Sequence, residues 1–218
     1  MENDFEFKRE IVRIAKLMSD KGLVGTYEGN LSIRRGNKVY VTPSGRSKAE
    51  LSEGQIIVTD LDGNLIEGDL APTSETPMHM KCYELREDIG AVIHCHAPYG
   101  TAYAQQNIEI VNKISPEFMM LYGKVPLLRY GTPGTDKLVG DLKEYINEYD
   151  VFLLANHGVL TVGETLMEAY SKTVSLELLL KTEIIRNLIA DDKNVELDPK
   201  ECEYLIEKGK NNHGTKIK

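Results

Sequence analysis

His94-Cys95-His96 closes one apolar stretch, and His157 follows another, Val151-Phe152-Leu153-Leu154-Ala155-Asn156. Side chains two apart on a strand leave the same face, so His94 and His96 can meet one ion while Cys95 turns to the opposite side as a small core residue. His157, just ahead of Gly158, could add a third imidazole from a neighbouring strand end. Three neutral imidazoles leave a divalent cation its full charge and an open coordination position, which suits a catalytic rather than a structural site. The competing reading is plain packing, because a His-x-His pair alone is more often chance than ligand. His79, between Met78 and Met80, reads as a hydrogen-bonded packing residue, and His213 lies in a polar tail.

Strands and helices must hold these residues in place. Helical spacing predicts an amphipathic helix over 5–21, stopped by Gly22. Strands are expected at 31–34 and 38–42, and at 56–60 and 65–66 around the turn Asp62-Gly63-Asn64. A helix over 76–86 takes Pro77 in its first turn, with Ser74 or Thr76 as cap. The histidine strand spans 91–96, and a helix starts near Pro98. Further strands are expected at 108–111, 125–129, 151–154 and 159–162, with a helix over 135–148 among them. The longest helix covers 164–190, with Leu176, Leu179, Leu180, Ile184 and Leu188 on one side. Asp198-Pro199-Lys200-Glu201 opens a last, capped helix. Short strands joined by hairpins between long helices favour a mixed or antiparallel sheet over a doubly wound parallel one.

Composition sets the limits. The 218 residues suit one domain over 1–218, with a tail expected to be mobile from about residue 209. With 26 Lys+Arg against 34 Asp+Glu the formal charge is -8, so a nucleic-acid partner is not expected. No apolar run is long enough to cross a bilayer, and the charged start Met1-Glu2-Asn3-Asp4 has no signal-peptide character. Three scattered cysteines, Cys82, Cys95 and Cys202, make a disulfide framework improbable and point to a reducing cytoplasm.

Five motifs, two of which contain these histidines, occur in a recognisable order: Gly29-Asn30-Leu31-Ser32-Ile33, Thr42-Pro43-Ser44-Gly45, Thr73-Ser74-Glu75 with His79, His94-Cys95-His96-Ala97-Pro98-Tyr99, and Asn156-His157-Gly158. The series resembles the class II aldolase/adducin family from the first helix to about residue 190. The resemblance implies an α/β fold of three layers, α-β-α, around a mostly antiparallel central sheet. It implies His94, His96 and His157 as zinc ligands, with Mn2+ or Co2+ as possible substitutes. Glu75 matches the family's acid/base carboxylate, and Asn30, Ser44, Gly45, Thr73 and Ser74 match the loop positions that hold a substrate phosphate.

The implied reaction is cleavage of a phosphorylated ketose to dihydroxyacetone phosphate and an aldehyde through an enediolate. The implied assembly is a homotetramer with sites at subunit interfaces. A dehydratase or decarboxylase of a phosphorylated sugar would use the same site. Epimerases of the family carry aspartate at the place of Glu75. An adducin-like binding module would not keep the three histidines, and a metal hydrolase would carry Asp-His where Ala97-Pro98 stands. Two departures concern the donor to the aldehyde oxygen: Ser115 stands where such aldolases carry a tyrosine, and no tyrosine follows Tyr204. Tyr99, Tyr122 and Tyr130 are the candidates for that role. Glu117 and Arg129 read equally as polar contacts to substrate or as ordinary surface charges.

Overall fold

The amphipathic start of the chain forms helix α1, Glu2–Asp20, whose Ile11, Ile14, Ala15 and Met18 are fully buried at helical spacing. Strands β1 (Asn30–Arg35) and β2 (Lys38–Val41) form a hairpin, followed by β3 (Ile57–Thr59) and β4 (Leu65–Glu67). Helix α2 (Thr76–Leu85) leads to β5 (Ala91–Cys95) and α3 (Pro98–Gln106). Next come α4 (Pro116–Leu121), β6 (Leu127–Leu128), β7 (Val151–Leu154), β8 (Gly158–Gly163), α5 (Leu166–Ile189) and α6 (Pro199–His213). The computed structural model describes residues 2–189 and 195–213.

The eight strands make one sheet in the order β4-β3-β2-β1-β5-β8-β7-β6. Every pairing is antiparallel except β6 with β7. One face packs against α1, α3, α4 and α5 through a core that includes Ile33, Ile93 and Cys95. The other face packs against α2 and the 136–146 segment through Val92, Leu160 and Phe152. Cys95 therefore lies on the face away from His94, as period-two alternation requires.

Several expected elements are replaced. Segments 108–111 and 125–129 meet only at the Ile110–Val125 bridge, and β6 keeps just two residues. Pro126 has no N–H to give a ladder. The helix expected over 135–148 is two 3-10 turns, Asp136–Val139 and Leu142–Glu144. Gly140 is a poor helix former, and the Asp141 carboxylate accepts from the Arg129 main-chain N–H instead of leaving the turn free. Leu138, Leu142 and Ile146 are still buried, so the apolar spacing is satisfied without a regular helix. On α5, Leu176 and Leu180 are buried, but Leu188 is 81% exposed. The tail expected to be mobile from about 209 is helical to His213, with Gly209 so close to Met120 that a Cβ would stand 1.9 Å from its carbonyl oxygen. Residues 214–218 lie outside the described part.

Candidate active site and metal centre

Sheet register assembles the site. Asn30 of β1 pairs with His94 of β5, and His94 pairs with Leu160 of β8. Asn30, Ser32 and His94 thus share the face turned to α2. His157 sits in the short β7–β8 connection, after Asn156 in the left-handed region at φ 59°. Gly158 is required beside it. A Cβ there would lie 2.5 Å from the Cys95 carbonyl oxygen and 2.9 Å from the His96 ring.

The three imidazoles converge, with ring centroids 4.6–5.1 Å apart. One nitrogen of each falls within 4.8 Å of the others. His94 Nδ1 lies 2.9 Å from the Val159 carbonyl oxygen, which can only accept, so Nδ1 carries the proton and Nε2 presents a lone pair. Burial, followed by the neighbouring His157 and His96, holds the His94 pKa well below the ordinary histidine value. Burial and His96 push His157 down to about 4, and burial lowers His96 as well. Neutral rings cannot form ion pairs with Glu75, although its Oε2 is 3.2 Å from His94 Nε2 and its Oε1 is 3.4 Å from His157 Nε2.

The His94 Nε2 lone pair therefore faces a carboxylate, and His94 Nε2 and His157 Nδ1 are buried with no hydrogen-bond partner among the described residues. A divalent cation among the rings would resolve that conflict, so the donor set fits a metal. Glu75 is the N-cap residue of α2, with its own side chain making no cap hydrogen bond. Neither Ser74 nor Thr76 takes the cap position expected of them. The Thr76 hydroxyl instead donates to the Thr73 carbonyl at 2.7 Å. Burial raises the Glu75 pKa, partly offset by the hydrogen bond from Asn30.

Behind Glu75 runs a buried polar chain. Glu75, His79 and Tyr83 follow at i, i+4 and i+8 along α2, facing Asn30 and Ser32 of β1. Asn30 Nδ2 donates to Glu75 Oε2 at 2.7 Å, and His79 Nε2 is 2.6 Å from Asn30 Oδ1. Ser32 Oγ lies 2.6 Å from both His79 Nδ1 and the Tyr83 hydroxyl. His79 is thus the hydrogen-bonded interior residue its position suggested, with burial pushing its pKa down to about 3.

The loops named for phosphate are brought together. Ser44 N donates to the Ala71 carbonyl at 3.0 Å and Thr73 N to the Thr42 carbonyl at 3.2 Å, tying the two segments side by side. Ser44, Gly45, Thr73 and Ser74 line a polar cavity of about 180 Å³ that Glu75, His96 and His157 also line. Asn30 reaches the cavity too, but both ends of its amide are engaged by Glu75 and His79. A larger cavity, about 560 Å³, lies on the outer side of α2 and contains none of the histidines.

Two residues near the site escaped the sequence reading. Glu177 of α5 accepts from the main-chain N–H of Tyr99 at 3.1 Å and Gly100 at 2.6 Å, holding the start of α3 directly after His96. Its signal was hidden in a helix whose other face is apolar. Lys48 is buried at the cavity, and only its position three residues after Gly45 hinted at that. Of the tyrosines, Tyr122 gives its hydroxyl to the Lys172 carbonyl at 2.7 Å, and Tyr130 is exposed. The Arg129 side chain is exposed and paired with Asp141, and Glu117 accepts from Ser115.

Residues 9–184 match the family model described as Class II Aldolase and Adducin N-terminal domain. The chain belongs to the class II aldolase and adducin family. A protein of Methanococcus maripaludis named L-fuculose phosphate aldolase is 37% identical over 178 residues, covering 82% of this chain and 96% of that protein. One of Haemophilus influenzae, named 3-oxo-tetronate 4-phosphate decarboxylase, is 34% identical over 179 residues, 80% of this chain and 85% of its own length. A solved structure titled L-fuculose 1-phosphate aldolase superposes with a TM-score of 0.85 at 29% identity, covering 94% of this chain and 96% of that one. The three-layer class II aldolase fold is thereby established, and this member of the family is an enzyme of the lyase type. No helix among the described residues is long and apolar enough to cross a membrane.

Proposed function

We propose that this class II aldolase-family chain is a zinc-dependent aldolase that cleaves a ketose 1-phosphate to dihydroxyacetone phosphate and an aldehyde. The observation that carries the reading is the placement of Glu75, between the unpartnered His94 Nε2 and the Asn30 amide and on the wall of a hydroxyl-lined cavity. A divalent ion held by His94, His96 and His157 would supply Lewis-acid stabilisation of the negative charge that develops on substrate oxygen. Glu75 moves a proton to and from the carbon next to the substrate carbonyl. Asn30 keeps the carboxylate aimed, and the 42–45 and 73–75 loops receive the phosphate with N–H and O–H donors.

The further parts of the reading are a homotetramer with interfacial sites and a cytoplasmic setting, the latter supported by buried, unpaired Cys82, Cys95 and Cys202. Decarboxylation of a phosphorylated sugar acid is the second reading. It is favoured by the decarboxylase relative and by Tyr122 being spent on Lys172, since loss of carbon dioxide needs no donor to an aldehyde oxygen.

The deciding experiment incubates zinc-loaded protein with a panel of ketose 1-phosphates and 3-oxo sugar-acid phosphates. Release of dihydroxyacetone phosphate together with an aldehyde from a ketose 1-phosphate is expected. Turnover confined to the 3-oxo sugar-acid phosphates, with carbon dioxide and no aldehyde released, would move the assignment to the second reading, and inertness toward every phosphorylated substrate would end both.

A further inference from the structure

Lys48 is 2% exposed and lines the cavity shared by Ser44, Thr73, Ser74, His96 and His157. Its Nζ donates to the main-chain carbonyls of Tyr27 at 2.9 Å and Arg46 at 3.1 Å. Those oxygens can only accept, so two of the amine's N–H bonds are spent on them, and the ammonium form keeps a third. Carbonyls satisfy hydrogen bonds without cancelling charge. Among the described residues no carboxylate forms an ion pair with Lys48; Glu28 acts on it through space only. Burial accordingly lowers the Lys48 pKa, with Glu28 opposing the shift. A buried cation without an adjacent counter-charge is costly, and a site that retains one gains when an anionic ligand brings that charge.

We propose that Lys48 is the charged member of the phosphate subsite, receiving a dianionic phosphate oxygen on its third N–H. This rests on the sugar-phosphate reading of the same cavity and names a group that the hydroxyl loops do not provide. Ser44, Thr73 and Ser74 offer neutral donors, and the imidazoles are neutral, so Lys48 carries the only protein cation on that wall among the described lining residues. Charge-assisted hydrogen bonds are about twice as strong as neutral ones, and the low-dielectric setting of Lys48 adds to that. The two carbonyl bonds also fix the ammonium in place: the one to Tyr27 ties the 44–48 loop to the 25–29 loop, and the one to Arg46 closes within the 44–48 loop itself.

Calorimetric titration of the zinc-loaded full chain with inorganic phosphate tests this, using wild type, Lys48→Gln and Lys48→Arg, with zinc affinity measured in parallel. Glutamine keeps an N–H donor for the loop carbonyls and removes the charge. Phosphate affinity is expected to fall roughly tenfold in Lys48→Gln, with zinc affinity kept, and to stay within about threefold in Lys48→Arg. A loss under about fivefold in Lys48→Gln overturns the proposal, as does a joint loss of zinc and phosphate, which would mean that Lys48 only holds loops. If Lys48→Gln does not fold, Lys48→Arg decides on the same boundary of about fivefold, a smaller loss sustaining the proposal and a larger one overturning it. Wild type that binds zinc but no phosphate would refute the sugar-phosphate reading itself. Wild type and Lys48→Gln binding phosphate equally would refute Lys48 alone.

Discussion

Asn30 Nδ2 donates to Glu75 Oε2 across 2.7 Å, and that bond orients everything buried behind it. A carboxylate only accepts, so Asn30 must turn Oδ1 to His79 and receive the proton on its Nε2. His79 Nδ1 then accepts from Ser32, and Ser32 accepts from Tyr83. Asn30→Ala would leave Glu75 and His79 each short of a partner. The expected loss is about 1–3 kcal/mol of unfolding free energy, read from urea denaturation of metal-free protein. A change below about 0.5 kcal/mol would mean that solvent replaces the amide at no cost.

His79 gives a pH dependence. Its folded pKa, about 3, lies below the 6.5 of an ordinary histidine, so between those values the unfolded chain binds more protons than the folded one. Stability from this residue is complete above the ordinary value and is lost as pH falls toward 3. The slope is about 1.4 kcal/mol per pH unit. His79→Gln, which can still donate to Asn30, should flatten the difference in stability between pH 6 and pH 4 by an amount of that order. Identical slopes for variant and wild type would refute a neutral, buried His79.

Each of His94→Ala, His96→Ala and His157→Ala should abolish stoichiometric zinc, measured by metal analysis after dialysis. Gly158→Ala should do nearly the same without touching a ligand atom, because its methyl would press on Cys95 and the His96 ring. Full zinc occupancy in Gly158→Ala would show that the hairpin can shift without disturbing the triad.

Glu75→Gln should keep zinc and still accept from Asn30 while losing its basicity. Exchange of the dihydroxyacetone phosphate carbon-bound proton, followed by NMR in deuterated water, should slow by about a hundredfold or more. Undiminished exchange would remove Glu75 from the chemistry.

The three imidazoles and the order of motifs around them were legible because each lies in a short local pattern. Alternation alone sends His94 and His96 to one face and Cys95 to the other, periodicity marks α1 and α5, and Pro77 in a first turn marks α2. The misread stretches are those where local preference lost to a competing contact. Asp141 turned its carboxylate to Arg129, Pro126 interrupted a strand, and α6 continued to His213 because Gly209 admits Met120 at close range. Composition and motif thus determined the family, the fold class and the three histidines that converge. Only the tertiary structure decided that Asn30 serves Glu75, that His79 orients Asn30 and that Lys48 is buried at the cavity. Those relations join residues 45, 49 and 21 positions apart, through sheet register, helix docking and loop ties. The strength of a buried hydrogen bond or charge depends on surroundings that no local pattern records.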